Sequence, residues 1–283
     1  MAQGLVLIDK EEGRSSRYYD AILSRAYPGL RVGHLGTLDP FASGLLVVAV
    51  GKATKFLPYL LDEPKSYIAK LTLGARKDTA DLTGTTVEER EVPILDLREV
   101  ASVLASFQGE IEQLPPAYSA LKVNGRPAYS YARKGEAVEL KPRKCVVSSI
   151  HLVSYEKGEI VFTASVSKGT YIRTLGEDIA KKLGTLGYLS SLRRLSMGKM
   201  MVDKAIRVGF GDVPALLDPS PYLKPFKRYE AKEGEAKMVK DGKPLALPAM
   251  YAGEEEVFIT YEGAVLAAYK KDGDLYWSER GLF

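Results

Sequence analysis

The sequence predicts an α+β fold, and three observations point to it. Several short apolar runs read as strands, two of them are joined by a hairpin signal, and between them lie stretches whose apolar residues recur at helical spacing. Hairpins mixed with helices favour α+β over a doubly wound parallel sheet. Leu5-Val-Leu-Ile8 reads as the first strand, and Ser15 or Ser16 caps a helix through Tyr27 that Pro28-Gly29 ends. The glycine-bearing stretch Gly33 to Gly44 leads into Leu45 to Val50, a continuous apolar run suited to a buried strand. Lys52 to Leu61 reads as helical, and Tyr67, Ala69, Leu71 and Leu73 alternate with Ile68, Lys70 and Thr72 as in a half-buried strand. Asp96 with Glu99 resembles a capping box ahead of Val100, Val103, Leu104 and Phe107. Lys144 to Tyr155 and Glu159 to Ser167 read as strands joined at Glu156-Lys157-Gly158. Ile172, Leu175, Ile179 and Leu183 give Thr170 to Leu183 helical spacing. Pro219, Pro221 and Pro225 mark a stiff linker, beyond which short strand-like runs and glycine turns predict a small β-rich domain. The expected division is 1–218 for the larger domain and 226–283 for the smaller.

Composition narrows the chemistry. The 283 residues are 46% hydrophobic and 27% charged, as in an ordinary globular protein. A net charge of +4 permits an anionic partner without requiring one. One Cys and two His build neither a disulfide framework nor a usual zinc site, so the chemistry leans on carboxylates, Tyr, Lys or Arg. Asp9 and Lys10 interrupt the N-terminal apolar run, which lacks a signal-peptide pattern, and Leu45 to Val50 is too short to span a bilayer. The default expectation is a cytoplasmic monomer.

The most unusual stretch is Arg31-Val-Gly-His-Leu-Gly-Thr-Leu-Asp-Pro40, continuing to Gly44-Leu45. Its glycines permit close turns, Pro40 stiffens the chain after Asp39, and the apolar strand beyond anchors the loop. Such a loop holds a carboxylate beside a cleft, or it is simply an Asp-Pro turn. His34 in the same loop stacks on a base or serves as a hydrogen-bonded turn residue. Tyr67 offers a ring face to a planar ligand or packs in the core. Arg173, where a strand turns into a helix, either reaches back to a buried carboxylate or lies on a helix surface. Leu192-Arg-Arg-Leu195 either places Leu192 in a pocket with Arg193 and Arg194 towards phosphates, or forms an amphipathic strand. Arg126, Arg133, Lys134, Lys141, Arg143 and Lys144 cluster with Tyr118, Tyr129 and Tyr131, a pattern compatible with phosphate contacts and base stacking or with a solvated face.

Together with Leu7-Ile-Asp-Lys10, Gly51-Lys-Ala-Thr-Lys55, Lys65-Ser-Tyr67, Asp78-Thr-Ala-Asp81, Pro115-Pro-Ala-Tyr-Ser-Ala-Leu-Lys122 and Gly169-Thr-Tyr-Ile-Arg173, these segments resemble the TruB-type tRNA pseudouridine synthases, in order along nearly the whole larger domain. The resemblance implies a central mixed, mainly antiparallel sheet flanked by helices, with a PUA-like RNA-binding domain at the C-terminus. It places Asp39 on the catalytic aspartate, Tyr67 on the active-site tyrosine, Arg173 on the aspartate's ion-pair partner, Leu192 on an apolar pocket residue and His34 on the residue that intrudes into the RNA. With Lys55, Arg126, Arg133 and Arg193 as further RNA contacts, it implies isomerisation of the T-loop uridine of tRNA without cofactor, metal or protein partner. Of the guide-RNA-dependent and stand-alone bacterial types, the 115–133 region looks more like the latter. Two stretches depart from the pattern: Ser15-Ser16-Arg17 stands where many members have Ser-His, and Leu186-Gly-Tyr188 where many have Gly-Ala-His.

Rival readings are a non-catalytic RNA-folding protein and a base-excising glycosidase, since a carboxylate at a sugar carbon also serves that chemistry. Arg173 is expected to outweigh burial and keep Asp39 ionised.

Overall fold

Strand pairing in a computed structural model, which describes residues 3–60, 64–119, 121–123, 125–132, 134–136, 139–224 and 226–282, matches the α+β expectation. β1 (Gly4–Lys10) leads to α1 (Ser16–Ala26), whose N-cap Ser15 accepts a hydrogen bond from the Tyr18 N–H. β2 (Val32–Leu35) precedes β3 (Ser43–Val50), so His34 lies on a strand rather than in the expected loop. The helical stretch expected over Lys52 to Leu61 is a 3-10 helix, Gly51–Tyr59; Pro58 within it has no N–H to donate, and Leu61 lies outside the described residues. β4 (Lys65–Leu73) buries Tyr67, Ala69, Leu71 and Leu73 on one face, as their alternation requires. A hairpin of β5 (Ala75–Lys77) and β6 (Thr86–Glu89) follows, and then α2 (Leu97–Ala105), capped by Asp96 accepting from the Glu99 N–H.

β7 (Gly109–Gln113), the small hairpin of β8 (Lys122–Val123) and β9 (Arg126–Pro127), and the short α3 (Ala128–Ala132) come next. β10 (Arg143–Glu156) and β11 (Glu159–Val166) form the expected hairpin, with Lys157 and Gly158 at φ of 48° and 79°. Two successive positive φ values are those of a type I′ turn, which matches the twist of the strands. α4 (Ile172–Lys182), β12 (Gly187–Met197) and β13 (Met200–Met201) complete the larger unit. The C-terminal part holds β14 (Arg228–Glu230), α5 (Glu233–Lys240), β15 (Glu256–Tyr261), β16 (Ala264–Asp272) and β17 (Leu275–Gly281).

The large sheet runs β1-β3-β12-β4-β11-β10-β7, with β2 added on β3 and β13 on β12. Its pairings are antiparallel except where β12 meets β3 in parallel, at Arg193 opposite Ser43 and Arg194 opposite Gly44. Gly44 has φ of 95°, and a Cβ there would fall on the Arg194 carbonyl oxygen and 2.8 Å from its nitrogen. Only glycine admits so close a crossing. β3 is apolar from Leu45 to Val50 because both of its faces are covered there. Leu46, Val48 and Val50 join one core with α1 and α4, whereas Leu45, Val47 and Ala49 join another. That second core includes Phe56 of the 3-10 helix and Phe258, Val265, Ala268 and Leu282 of the C-terminal part, so the two units share buried surface. Among the described residues no helix is long and apolar enough to cross a membrane.

Candidate active site

Asp39 stands on the loop between β2 and β3, and buried polar groups grip that loop on both sides. Ser16, at the start of α1, accepts from the Leu38 N–H at 3.0 Å and donates to the Leu38 carbonyl at 3.1 Å. Lys10, fully buried at the end of β1, donates to the carbonyls of Pro40 at 3.2 Å and Ala42 at 2.6 Å. Gly13 N–H also donates to Pro40, at 2.8 Å. Burial pushes the Lys10 ammonium down to about 8, against the pull of the Asp39 charge. Arg194 donates to Gly36 at 2.9 Å and Leu45 at 2.7 Å. Three elements distant in sequence thus fix one carboxylate's backbone.

Asp39 faces a cleft of about 470 Å³ whose lining includes Thr37, Tyr67, Ser119, Arg173 and Leu192. The Nε of Arg173 lies 2.9 Å from Asp39 Oδ2, and the arginine side chain is 5% exposed against 36% for the aspartate. Arg173 also donates through Nη1 to the Thr79 carbonyl at 2.7 Å and through Nη2 to the Tyr118 carbonyl at 2.8 Å. Asp81, buried, comes within 3.6 Å of Nη1 and accepts from Thr79 Oγ1 at 2.9 Å and from the Thr83 N–H at 2.9 Å. Arg173 therefore ties α4 to Asp39, to the 78–85 turn and to the 114–119 segment. Its guanidinium sends each nitrogen to a protein acceptor.

The electrostatic balance at Asp39 differs from expectation. Enclosure by protein raises its carboxyl above the usual value, Arg173 pulls it down, Asp81 pushes it up, and the net direction is upward. The carboxylate keeps an open side towards the cleft.

Tyr67 and Leu192, both buried, come from adjacent strands: β4 and β12 pair Tyr67 with Arg194 and Ala69 with Leu192. His34 is held by Asp20 of α1, 2.7 Å from Nδ1 to Oδ2, and its Nε2 lies 3.1 Å from Thr37 Oγ1. An aspartate on Nδ1 fixes that nitrogen as the donor. Lys55 is exposed on the 3-10 helix and does not line the cleft, Arg126 is exposed on β9, and Arg133 lies outside the described residues. The two neighbouring arginines both meet protein groups. Arg194 is buried, and Arg193 makes a two-pronged pair with Asp9, at 2.8 and 3.0 Å. An arginine fork matches a carboxylate as well as it does a phosphate, and here the carboxylate is local. In the sequence, Lys10, Asp81 and Ser119 carry no signal beyond lying inside the resembling motifs, and Ser16 none beyond that of a candidate helix cap.

Residues 24–172 match the N-terminal domain of the TruB family pseudouridylate synthases. A tRNA pseudouridine synthase B of Chromohalobacter salexigens is 47% identical over 200 residues, 71% of this chain and 65% of that protein. One of Psychrobacter cryohalolentis is 40% identical over 227 residues, 78% of this chain and 63% of the relative. The matched part is thus a little under two thirds of these relatives' length. Among solved structures, a chain of an H/ACA RNP bound to a substrate RNA containing 2′-deoxyuridine is similar, with a TM-score of 0.72 at 21% identity, over 99% of this chain and 85% of that one. A chain of a Cbf5-Nop10-Gar1 complex gives 0.71 at 23%, with the same coverage. At such identities the likeness is one of fold. The domain match over more than half the chain and the 40–47% identity to the curated relatives place this chain in the TruB family of pseudouridylate synthases.

Proposed function

We propose that the protein isomerises the T-loop uridine of tRNA, position 55, to pseudouridine, with Asp39 as the catalytic carboxylate. The observation that carries this reading is the Asp39–Arg173 pair, at 2.9 Å, beside a cleft floored by Tyr67 and Leu192. The reaction breaks the ribose C1′ to N1 bond, turns the uracil and joins C1′ to C5, after which the C5 proton leaves and N1 carries one. Asp39 serves the first step either by attacking C1′ to give a glycosyl ester or by removing a sugar proton to give a glycal. Both routes begin from an ionised carboxylate, and Arg173 favours that form. The isomerisation is redox-neutral and uses no group beyond those of the chain, so no cofactor or metal is part of the proposal.

Tyr67 stacks on the uracil and is the proposed acceptor of the C5 proton, while Leu192 covers the ring. A stacked uridine cannot reach Asp39, so the nucleotide flips out at a cost of about a few kcal/mol, with His34 filling the gap. Arg126, Arg133 and Lys55 are proposed to meet the RNA backbone, and residues 226–283 to act as a PUA-like RNA-binding domain. Arg193, 36% exposed, belongs to the same proposed set, with the RNA backbone competing with Asp9 for its guanidinium. The working unit is a monomer acting on the T-arm in the cytoplasm without a protein partner.

The test is to incubate the protein with unmodified tRNA transcript, without added metal or cofactor, and map pseudouridine by position beside an Asp39→Ala control. Product at the T-loop uridine with the unmutated protein alone is expected. Tight binding without product would favour an RNA-folding protein, and released free uracil a glycosidase.

A further inference from the structure

We infer that the Ser119 hydroxyl contacts the substrate in this cleft, hydrogen-bonding the polar edge of the flipped uracil; the inference rests on reading the cleft as a uridine site. Two buried side-chain polar atoms lack a hydrogen-bond partner among the described residues, Asp20 Oδ1 and Ser119 Oγ. Ser119 is 4% exposed and lines the cleft together with Asp39, Tyr67, Arg173 and Leu192. A buried serine hydroxyl ordinarily finds a backbone partner, as Ser16 does twice at Leu38. Leaving one unpaired weakens the folded state, so such a group belongs where a ligand completes it.

The backbone around Ser119 is held in place. The Tyr118 carbonyl accepts from Arg173 Nη2 at 2.8 Å, and the Ser119 carbonyl accepts from the Tyr129 N–H at 3.0 Å. The same arginine that meets Asp39 therefore fixes where the Ser119 side chain sits, which couples the sugar end of the site to its base end. Each Arg173 nitrogen already has a protein acceptor, and ionised Asp39 only accepts. Tyr67 and Leu192 supply ring and methyl faces. Uracil presents two carbonyls and an N–H at its edge, and a neutral hydroxyl that both donates and accepts matches that edge. A phosphate instead calls for a cation, which the neutral Ser119 hydroxyl is not; the cations Lys65 and Lys168 line the same cleft. The edge contact matters most once the glycosidic bond is broken, when the free base turns without leaving.

The experiment uses the full chain with Ser119→Ala and Ser119→Thr. It measures pseudouridine formation, thermal unfolding, and binding to two tRNA transcripts, one with the target uridine and one abasic at that position. Ser119→Ala is expected to lower kcat/KM about threefold to tenfold, the worth of one neutral hydrogen bond, while the unfolding midpoint stays level or rises. It should weaken binding of the uridine-bearing tRNA and leave the abasic one unchanged, and Ser119→Thr should recover most of the loss. Unchanged kcat/KM, equal weakening on both RNAs, or a fall in unfolding midpoint that accounts for the lost activity would overturn the inference. Absence of product with the unmutated protein would overturn the functional reading instead, and the binding pair would still decide for or against Ser119.

Discussion

Asp39 is pulled in two directions, and its titration exposes both. Enclosure raises the carboxyl above its ordinary 3.8 in spite of Arg173, so the folded state holds the Asp39 proton more tightly than the unfolded chain does. Stability therefore falls as pH rises through the interval between the unfolded and folded values, and above that interval the ionised group weakens the fold. Asp39→Asn removes the charge while keeping an acceptor for the Arg173 Nε–H. The variant should unfold at a higher temperature than the parent at about pH 7.5, with the gap closing towards about pH 4, while making no pseudouridine. For the parent, kcat/KM should decline on acidification with a midpoint above 3.8. A variant that unfolds lower at neutral pH would mean that the Arg173 pair outweighs enclosure. The sequence marks Asp39 and Arg173 as partners through their motifs, but the sign of this balance depends on Asp81 and on packing that no spacing records. Ser119 and the grip of Ser16 on Leu38 are illegible for the same reason: what a serine does depends on which distant backbone passes beside it.

At the scale of elements, the loop owes its position to the parallel crossing of β12 on β3. Gly44, at φ of 95° against the Arg194 backbone, makes that crossing possible. Gly44→Ala must strain the left-handed backbone and push the strands apart, and should cost about 2–4 kcal/mol in urea unfolding. Gly29→Ala is the control: at φ of 78° with open space around it, it should cost only about 1 kcal/mol, the backbone penalty alone. Equal costs would show that the crossing tolerates a Cβ. Period-two alternation in β4 and the glycine turn after β10 made those strands readable, because each reports its own burial locally. The helical reading of Lys52 to Leu61 becomes a 3-10 helix over Gly51–Tyr59, since apolar spacing does not separate the helix types. α5 escaped notice because its eight residues bury only Ala236 and Val239, too narrow a stripe to show a period.

On the scale of the whole molecule, the expected boundary at the proline linker separates strands but not cores. Phe258 of β15 is fully buried, with its ring 5.4 Å from that of Tyr59, 5.3 Å from Phe226 and 6.3 Å from Phe56. Tyr59 also donates to Glu279 of β17 at 3.1 Å. The face of β1 and β3 opposite the cleft is thus covered by the 3-10 helix and, beyond it, by the C-terminal sheet. A shared core couples the unfolding of the two units, because exposing either one strips apolar surface from the other. Calorimetry of the full chain should therefore show one transition. Phe258→Ala, which opens a cavity at the junction and should cost about 3–5 kcal/mol, should move that whole transition to lower temperature. Two transitions, with only the smaller one shifted by the substitution, would mean that the C-terminal part folds on its own and merely rests against the larger unit. A single shifted transition would mean that the larger unit and the C-terminal sheet unfold together, as their shared core requires.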